Sequence, residues 1–328
     1  MSEEAPRWIA GVDIGGTNLR AGMVPFEGGE PAGVQSGPTR EGADAGEVVG
    51  RVVEMVGAAM EAVGAGEGGV AGVGVGAPGP LDRERGVVIE TPNLGWREVP
   101  LRGMVAGRLG LPVEVDNDAN CAAYGEWWVG AGRGADRLIG LTLGTGIGGG
   151  IVLGGEIYRG ASGAAGEAGH MSVHFAGRRC GCGARGCVEA YASGPAIAAR
   201  AIEGLGTAGD TALAAIAAED PGRVTAEAVC DAAAAGDGYA SRILEETARI
   251  LAVAVANLVH LFNPEVIVIG GGVAAAGDLL FEPLRAGVRR RAFRSATDVC
   301  RIVPAQLPQT AGIIGAAAVL KRALHGSL

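Results

Sequence analysis

Short apolar runs broken by glycine dominate the chain. Residues 8–12 are apolar, Asp13-Ile14-Gly15-Gly16-Thr17-Asn18 interrupts them, and residues 19–24 resume the apolar pattern. Run, glycine turn and run predict a β-hairpin. The pattern returns at residues 138–143, followed by Gly144-Thr145-Gly146-Ile147-Gly148-Gly149-Gly150 and a further apolar run at 151–153. In this register Gly15 matches Gly144 and Asp13 matches Thr142. Each copy leads on to another strand that ends in glycine. Residues 70–75 run into Gly76-Ala77-Pro78-Gly79-Pro80, and residues 266–269 run into Gly270-Gly271-Gly272. Two related halves predict a duplicated α/β domain with a cleft between the copies. Helices are expected at 47–63, at 119–129 behind the cap signal Asn117-Asp118, at 239–262 and at 311–324. Residues 204–237 read as small peripheral helices. No low-complexity linker parts the halves, so a hinge must join them.

Composition narrows the function. The 328 residues include 60 glycines, only 4% are aromatic, and the net charge is -9. Few aromatic rings and an acidic balance speak against nucleic acid and anionic membranes as partners. Lys321 is the sole lysine. Its setting excludes a Walker A loop, the strand lysine of protein kinases and a Schiff-base enzyme. The acidic start resembles no signal or transit peptide, and the apolar stretch 243–262 carries Glu245, Glu246 and Arg249. A cytoplasmic location is expected.

Cys180, Cys182 and Cys187 fall within eight residues of one another, with glycines between them. Three thiolates and one imidazole satisfy a tetrahedral Zn²⁺, and a closed shell of four ligands is structural. His170 and His174 compete on spacing for the fourth place. Cys121, Cys230 and Cys300 read as small buried residues.

The glycine turns offer backbone N–H groups to phosphate. Around the first, Thr17 adds a hydroxyl and Asp13 could hold a hydrated Mg²⁺; an ordinary turn with a solvated Asp is the alternative. The second turn satisfies G-x-G-x-x-G, but residues 151–158 read as a strand where a dinucleotide fold needs a helix, which argues against that fold. Gly271 and Gly272 could admit a base or ribose, or could serve packing alone. Asp118, at a strand's end and a helix's start, could take the proton of an attacking hydroxyl; Asp118 or Asn117 could equally be a helix cap. Glu167 and Glu189 flank the cysteine cluster and suit a polyhydroxylated ligand.

Together these motifs make the sequence resemble the ROK family (repressors, open reading frames and kinases), with its bacterial glucokinases the nearest in pattern. The resemblance rests on Asp13-Ile-Gly-Gly-Thr17, Gly76-Ala-Pro-Gly-Pro80, Asp116-Asn-Asp118, the loop from Leu143, Gly166-Glu-Ala-Gly-His170 and the run from Cys180 to Glu189. It implies a duplicated actin-like (ribonuclease H-like) ATPase fold: a small N-terminal domain over 1–117, a larger one over 118–310 with a knuckle at 170–187, and a final helix at about 311–328 that returns to the first. It implies ATP-dependent phosphorylation of the 6-hydroxyl of glucose, with mannose, fructose or N-acetylmannosamine as alternative substrates and polyphosphate as an alternative donor. Asp118 would be the base, and Gly79, Asn117, Asp118, Glu167, His170 and Glu189 the sugar contacts. The ATP site would draw on Asp13, Gly15, Gly16, Thr17, Thr142, Gly144, Thr145, Gly146, Gly271 and Gly272. His170, Cys180, Cys182 and Cys187 would ligate zinc. A homodimer or homotetramer is expected. Family repressors carry an N-terminal helix-turn-helix, for which the chain before Asp13 leaves no room; a sugar-sensing regulator is the lesser reading.

Overall fold

The computed structural model describes residues 7–39, 42–91, 94–326 and 328. The chain divides into two compact units. The first takes Met1–Gly134, Gly150–Gly166 and Gln306–Leu328; the second takes Ala135–Gly149 and Glu167–Ala305. The expected break at 117/118 thus falls inside the first unit, which also holds the final helix.

In the first unit lie β1 (Trp8–Ile14), β2 (Asn18–Pro25), β3 (Ala32–Pro38) and α1 (Ala45–Ala62). After them come β4 (Val70–Ala77), β5 (Leu81–Asp82), β6 (Val87–Thr91), β7 (Trp96–Val99) and α2 (Leu101–Leu109). Then follow β8 (Val113–Asn117) and α3 (Asp118–Trp128). Its main sheet has the order β3-β2-β1-β4-β8, and β5-β6-β7 forms a small antiparallel sheet. Later in the chain run β9 (Arg137–Leu143), β10 (Ile147–Leu153), β11 (Glu156–Ile157), β12 (Val266–Gly270) and β13 (Arg301–Pro304). Their order is β11-β10-β9-β12-β13, the same layout as the first sheet. The duplication holds at the level of single residues. Asp13 stands opposite Gly76 across the parallel pair β1·β4, and Thr142 stands opposite Gly270 across β12·β9.

The helices of the second unit are α4 (Glu189–Ala192), α5 (Gly194–Glu203), α6 (Ala212–Glu219), α7 (Ala226–Ala234), α8 (Gly238–Phe262), α9 (Asp278–Arg291) and α10 (Arg294–Thr297). Asp237 caps α8 by accepting from the N–H groups of Tyr239 and Ala240 at 2.9 Å each. Asn263 ends it in the left-handed conformation, one residue before Pro264, as a C-terminal cap requires.

Two expectations are corrected. The glycine loop after β9 is shorter than the sequence suggests, because β10 already begins at Ile147. Gly150 is a strand residue pressed on α3, where an added Cβ would stand 2.6 Å from the Ala123 Cβ. The run 151–158 is not one strand either, since Gly154 and Gly155, both with positive φ, turn β10 back into β11. Two successive left-handed residues are what a tight hairpin needs.

The final helix, α11 (Ala311–His325), packs on the first sheet through glycine. Along β1, Ala10, Val12 and Ile14 fill the core under α1, whereas Ile9 packs with Ile313, Ile314 and Ala317 of α11. Strand period two then puts Gly11 and Asp13 on the α11 side. In β4 the valines at 73 and 75 join the core under α1, and Gly74 lies directly beneath the Ala316 carbonyl. A side chain at position 74 would run into that carbonyl. Overpacking of this kind costs about 1–3 kcal/mol, sometimes more. We therefore expect Gly74→Ala to lower the urea midpoint. Gly57 on the exposed side of α1 has nothing within 4 Å of its Cβ position. Gly57→Ala should raise the midpoint, with a gain in stability of up to about 1 kcal/mol; equal effects from both would refute the packing account.

Candidate active site and metal centre

The first unit brings two carboxylates together at the ends of its elements. Asp13 is the penultimate residue of β1 and lies against Gly312, where an added Cβ would stand 2.5 Å from the carboxyl carbon. Asp118 opens α3. Asn117, and not Asp118, is the cap: its Oδ1 accepts from the Ala119 and Asn120 N–H groups at 2.9 and 3.1 Å. Asp118 Oδ1 accepts from the Ala119 N–H at 2.8 Å. Asn117 Nδ2 points at the Gly79 carbonyl, 3.5 Å away, and Gly79 has φ +85°. Burial, and then the charge of Asp118, push the Asp13 carboxyl from its ordinary 3.8 up to about 7, against the opposing charge of Arg20.

The turn between β1 and β2 is closed by the Gly15 N–H donating to the Asn18 carbonyl at 2.9 Å. Gly16 is half-buried and Thr17 exposed, so both can meet a ligand from solvent. The turn after β9 repeats the device, with the Gly144 N–H donating to the Gly146 carbonyl at 2.9 Å and Thr145 exposed. Thr142 is half-buried at the end of β9. Gly271, φ +87°, presses on the Leu143 carbonyl and has a packing reason to be glycine. Gly272 faces open space, so it is the position that a ligand can approach.

Also in the second unit, His170, Cys180, Cys182 and Cys187 place their ligand atoms within 4.8 Å of one another. Cys182 Sγ and Cys187 Sγ are 3.7 Å apart, and Cys180 Sγ lies 3.8 Å from His170 Nδ1. A tetrahedron with Zn–S bonds of about 2.3 Å has an edge of about 3.8 Å, so the donor set fits that ion. Burial holds the Cys180 thiol up at about 12 and raises Cys187, while a hydrogen bond with the Ala184 backbone lowers Cys182. His174 is not in the cluster; its ring meets Phe175 edge-on at 6.1 Å.

Glu167 is exposed, with Oε2 3.9 Å from His170 Nε2. Glu189 is tied more firmly than a solvated charge. Its Oε2 accepts from the Ile147 N–H at 2.9 Å, and its Oε1 lies 3.6 Å from Cys180 Sγ. One carboxylate thus links the second glycine turn to the cysteine cluster. Of the isolated cysteines, Cys121 is buried, and Cys230 and Cys300 are half-buried. Among the described residues, no helix is long and apolar enough to cross a membrane. Sequence reasoning missed Arg159, which pairs with buried Asp116 and lies in no motif that could have marked it.

Two matching five-stranded sheets, each opening with a glycine-turned hairpin, define the actin-like ATPase fold. The chain belongs to the ROK family, whose sequence profile it matches over residues 9–323. It is 39% identical to the glucokinase of Thermotoga maritima over 319 residues, covering 97% of this chain and 98% of the relative. A ROK family glucokinase from Streptomyces griseus, solved in complex with glucose and AMPPNP, superposes with a TM-score of 0.83 at 38% identity, covering 95% of this chain and 98% of that one. The xylose repressor of Caldicellulosiruptor bescii is 36% identical over 252 residues, 77% of this chain and 63% of the repressor.

Two outcomes follow from the charges. Because the folded pKa of Asp13 lies above its unfolded value, the folded chain holds this proton more tightly, and stability without ligand falls as pH rises from about 4 through about 7. Asp13→Asn should therefore raise the ligand-free melting temperature at pH 8 and change it little at pH 4, the rise from 3.8 to about 7 corresponding to about 4 kcal/mol at most. Equal shifts at both pH values would refute the burial account. Metal analysis should find one zinc per chain, lost in Cys182→Ala; a fully folded wild type free of metal would contradict the tetrahedral assignment.

Proposed function

We propose that the chain is an ATP-dependent glucokinase, transferring the γ-phosphoryl group to the 6-hydroxyl of glucose in the cytoplasm, as a homodimer or homotetramer. The observation that carries this reading is Asp118, a carboxylate at the start of α3 that capping does not require, with Asp13 at electrostatic range. The glucokinases similar along nearly the whole chain support it.

The first unit supplies the base. Asp118 accepts the proton of the attacking hydroxyl, so that the oxygen gains nucleophilicity as the bond to phosphorus forms. Asn117 and Gly79 are placed to orient the sugar. Backbone N–H groups and hydroxyls at Gly15, Gly16 and Thr17, and at Gly144, Thr145 and Gly146, take the phosphates, which explains a phosphoryl-transfer chain with no lysine in its loops. Thr142, Gly271 and Gly272 complete the nucleotide contacts. Asp13, half-buried and beside a second carboxylate, fits a hydrated Mg²⁺, which when bound shields phosphate charge.

Glu167, His170 and Glu189 are the further sugar contacts of this reading. With Nδ1 turned to Cys180, His170 keeps Nε2 on the side of Glu167, free to meet a hydroxyl. Zinc at the cysteine cluster fixes that ring without touching the phosphoryl group.

Asp118→Asn should lower kcat by about 10²–10⁴-fold while ATP and sugar still bind. Coupled ADP detection over glucose, mannose, fructose and N-acetylmannosamine, with ATP or polyphosphate as donor, reads both base and substrate. A variant that keeps most of its activity removes Asp118 from the role, and turnover without glucose preference removes the substrate.

A further inference from the structure

An ion pair beneath the start of α3 joins Asp116, of the Asp116-Asn-Asp118 motif, to Arg159, which has no place in the motifs or in the reaction described so far. Arg159 Nε donates to Asp116 Oδ2 at 2.8 Å, and its Nη2 donates to the same oxygen at 2.5 Å. Its Nη1 donates to the Ile157 carbonyl at 3.2 Å, which ties the guanidinium to the end of β11. Asp116 is 2% exposed. The other oxygen, Oδ1, accepts from the Asn117 N–H at 2.8 Å and from Asn120 Nδ2 at 3.1 Å. Both oxygens are therefore committed, one to the arginine and one to the junction of β8 and α3. Arg83 is a weaker companion, with Nε 3.8 Å from Asp116 Oδ2.

The junction so held is where the reacting groups stand. Asn117 follows Asp116 directly and caps α3, and Asp118 comes next. Its neighbours are acidic: Asp13, Asp116 and Asp118 all act electrostatically on buried Cys121, and Arg159 supplies the opposing charge there. A carboxylate this deeply buried keeps its charge and place only if a cation and hydrogen-bond donors compensate it.

Resting on the kinase reading above, we propose that Arg159 is a positioning residue: through Asp116 it fixes the backbone at Asn117–Asp118 and so aims the base at its hydroxyl. Arg159 touches neither substrate in this account. A misplacement of about 1 Å at a reacting group can cost about 10²-fold in rate. Arg83 is close enough to take up part of the lost pairing, so the effect of removing Arg159 should be smaller than that of removing Asp118.

Steady-state kinetics of Arg159→Ala and Arg159→Lys, with folding checked by circular dichroism, test this. In Arg159→Ala, kcat is expected to fall about 10–100-fold while the KM for ATP stays within about twofold, because the glycine turns are untouched. Arg159→Lys restores the charge without the paired donors and should recover only part of the loss. A kcat within about twofold of wild type in Arg159→Ala, with only its melting temperature lowered, would overturn the proposal and leave a structural strut. If Arg159→Ala does not fold, Arg159→Lys decides: lowered kcat at unchanged KM for ATP supports the role, and unchanged kcat overturns it. The two readings fail differently. A wild type that turns over no sugar defeats the kinase reading, whereas an active wild type with an equally active Arg159→Ala defeats only the role of Arg159.

Discussion

Backbone-to-backbone packing of α11 on its neighbours is the constraint from which the first unit's site follows. Four glycines make it possible: Gly11 lies under the Ile313 carbonyl, Gly74 under that of Ala316, Gly125 of α3 under that of Ala311, and Gly315 of α11 meets the Cys121 carbonyl. Each contact leaves no room for a Cβ, so helix and sheet approach more closely than side chains would allow. Gly312 continues the seam to Asp13. The same close approach that seats the helix thus encloses a carboxylate. At the far end of α11, Lys321 donates to the Phe26 carbonyl at 2.8 Å and lies over the Phe26 and Trp128 rings at 4.7 and 5.5 Å. The chain's only lysine is spent on anchoring that helix.

Electrostatics at the site run against the ligand-free protein. Two carboxylates share a partly dehydrated corner, and the fold meets this by keeping a proton on Asp13 near neutral pH. In the proposed kinase such a corner would favour a cation, and the feature that costs the ligand-free protein stability would then favour loading. Asp116 shows the opposite solution. It is more buried, yet Arg159 and two donors satisfy it, and it can stay as a fixed part of the frame. In the proposed reaction, chemistry is left to the carboxylates that the frame does not use up.

Much of this was legible in the sequence because it is written in short periods. The matching hairpins at Gly15 and Gly144 foretold two sheets of one layout, and the structure pairs Asp13 with Gly76 as it pairs Thr142 with Gly270. The spacing of Cys180, Cys182 and Cys187 foretold a four-donor cluster but left His170 and His174 open; the family resemblance chose His170, and the fold brings His170 to the three thiols. The purpose of each glycine was harder to read. Gly150 sits in the same glycine run as the second turn but packs on α3, and Gly271, offered for a nucleotide or for packing, has the Leu143 carbonyl against it. Glycine looks the same in a sequence whether ligand, helix or turn needs the space. Arg159 was invisible for another reason: its partner is distant in sequence, and an arginine in a loop has no pattern to betray a buried carboxylate waiting for it.

The central claim is that the carboxylate opening α3 is presented to a sugar hydroxyl and is not merely part of a helix terminus. A crystal structure of the chain with glucose and a non-hydrolysable ATP analogue measures this directly. An Asp118 oxygen is expected within about 3 Å of the glucose 6-hydroxyl, the reach a general base needs. A bound sugar whose 6-hydroxyl faces another group, with both Asp118 oxygens turned to the α3 backbone, would contradict the account.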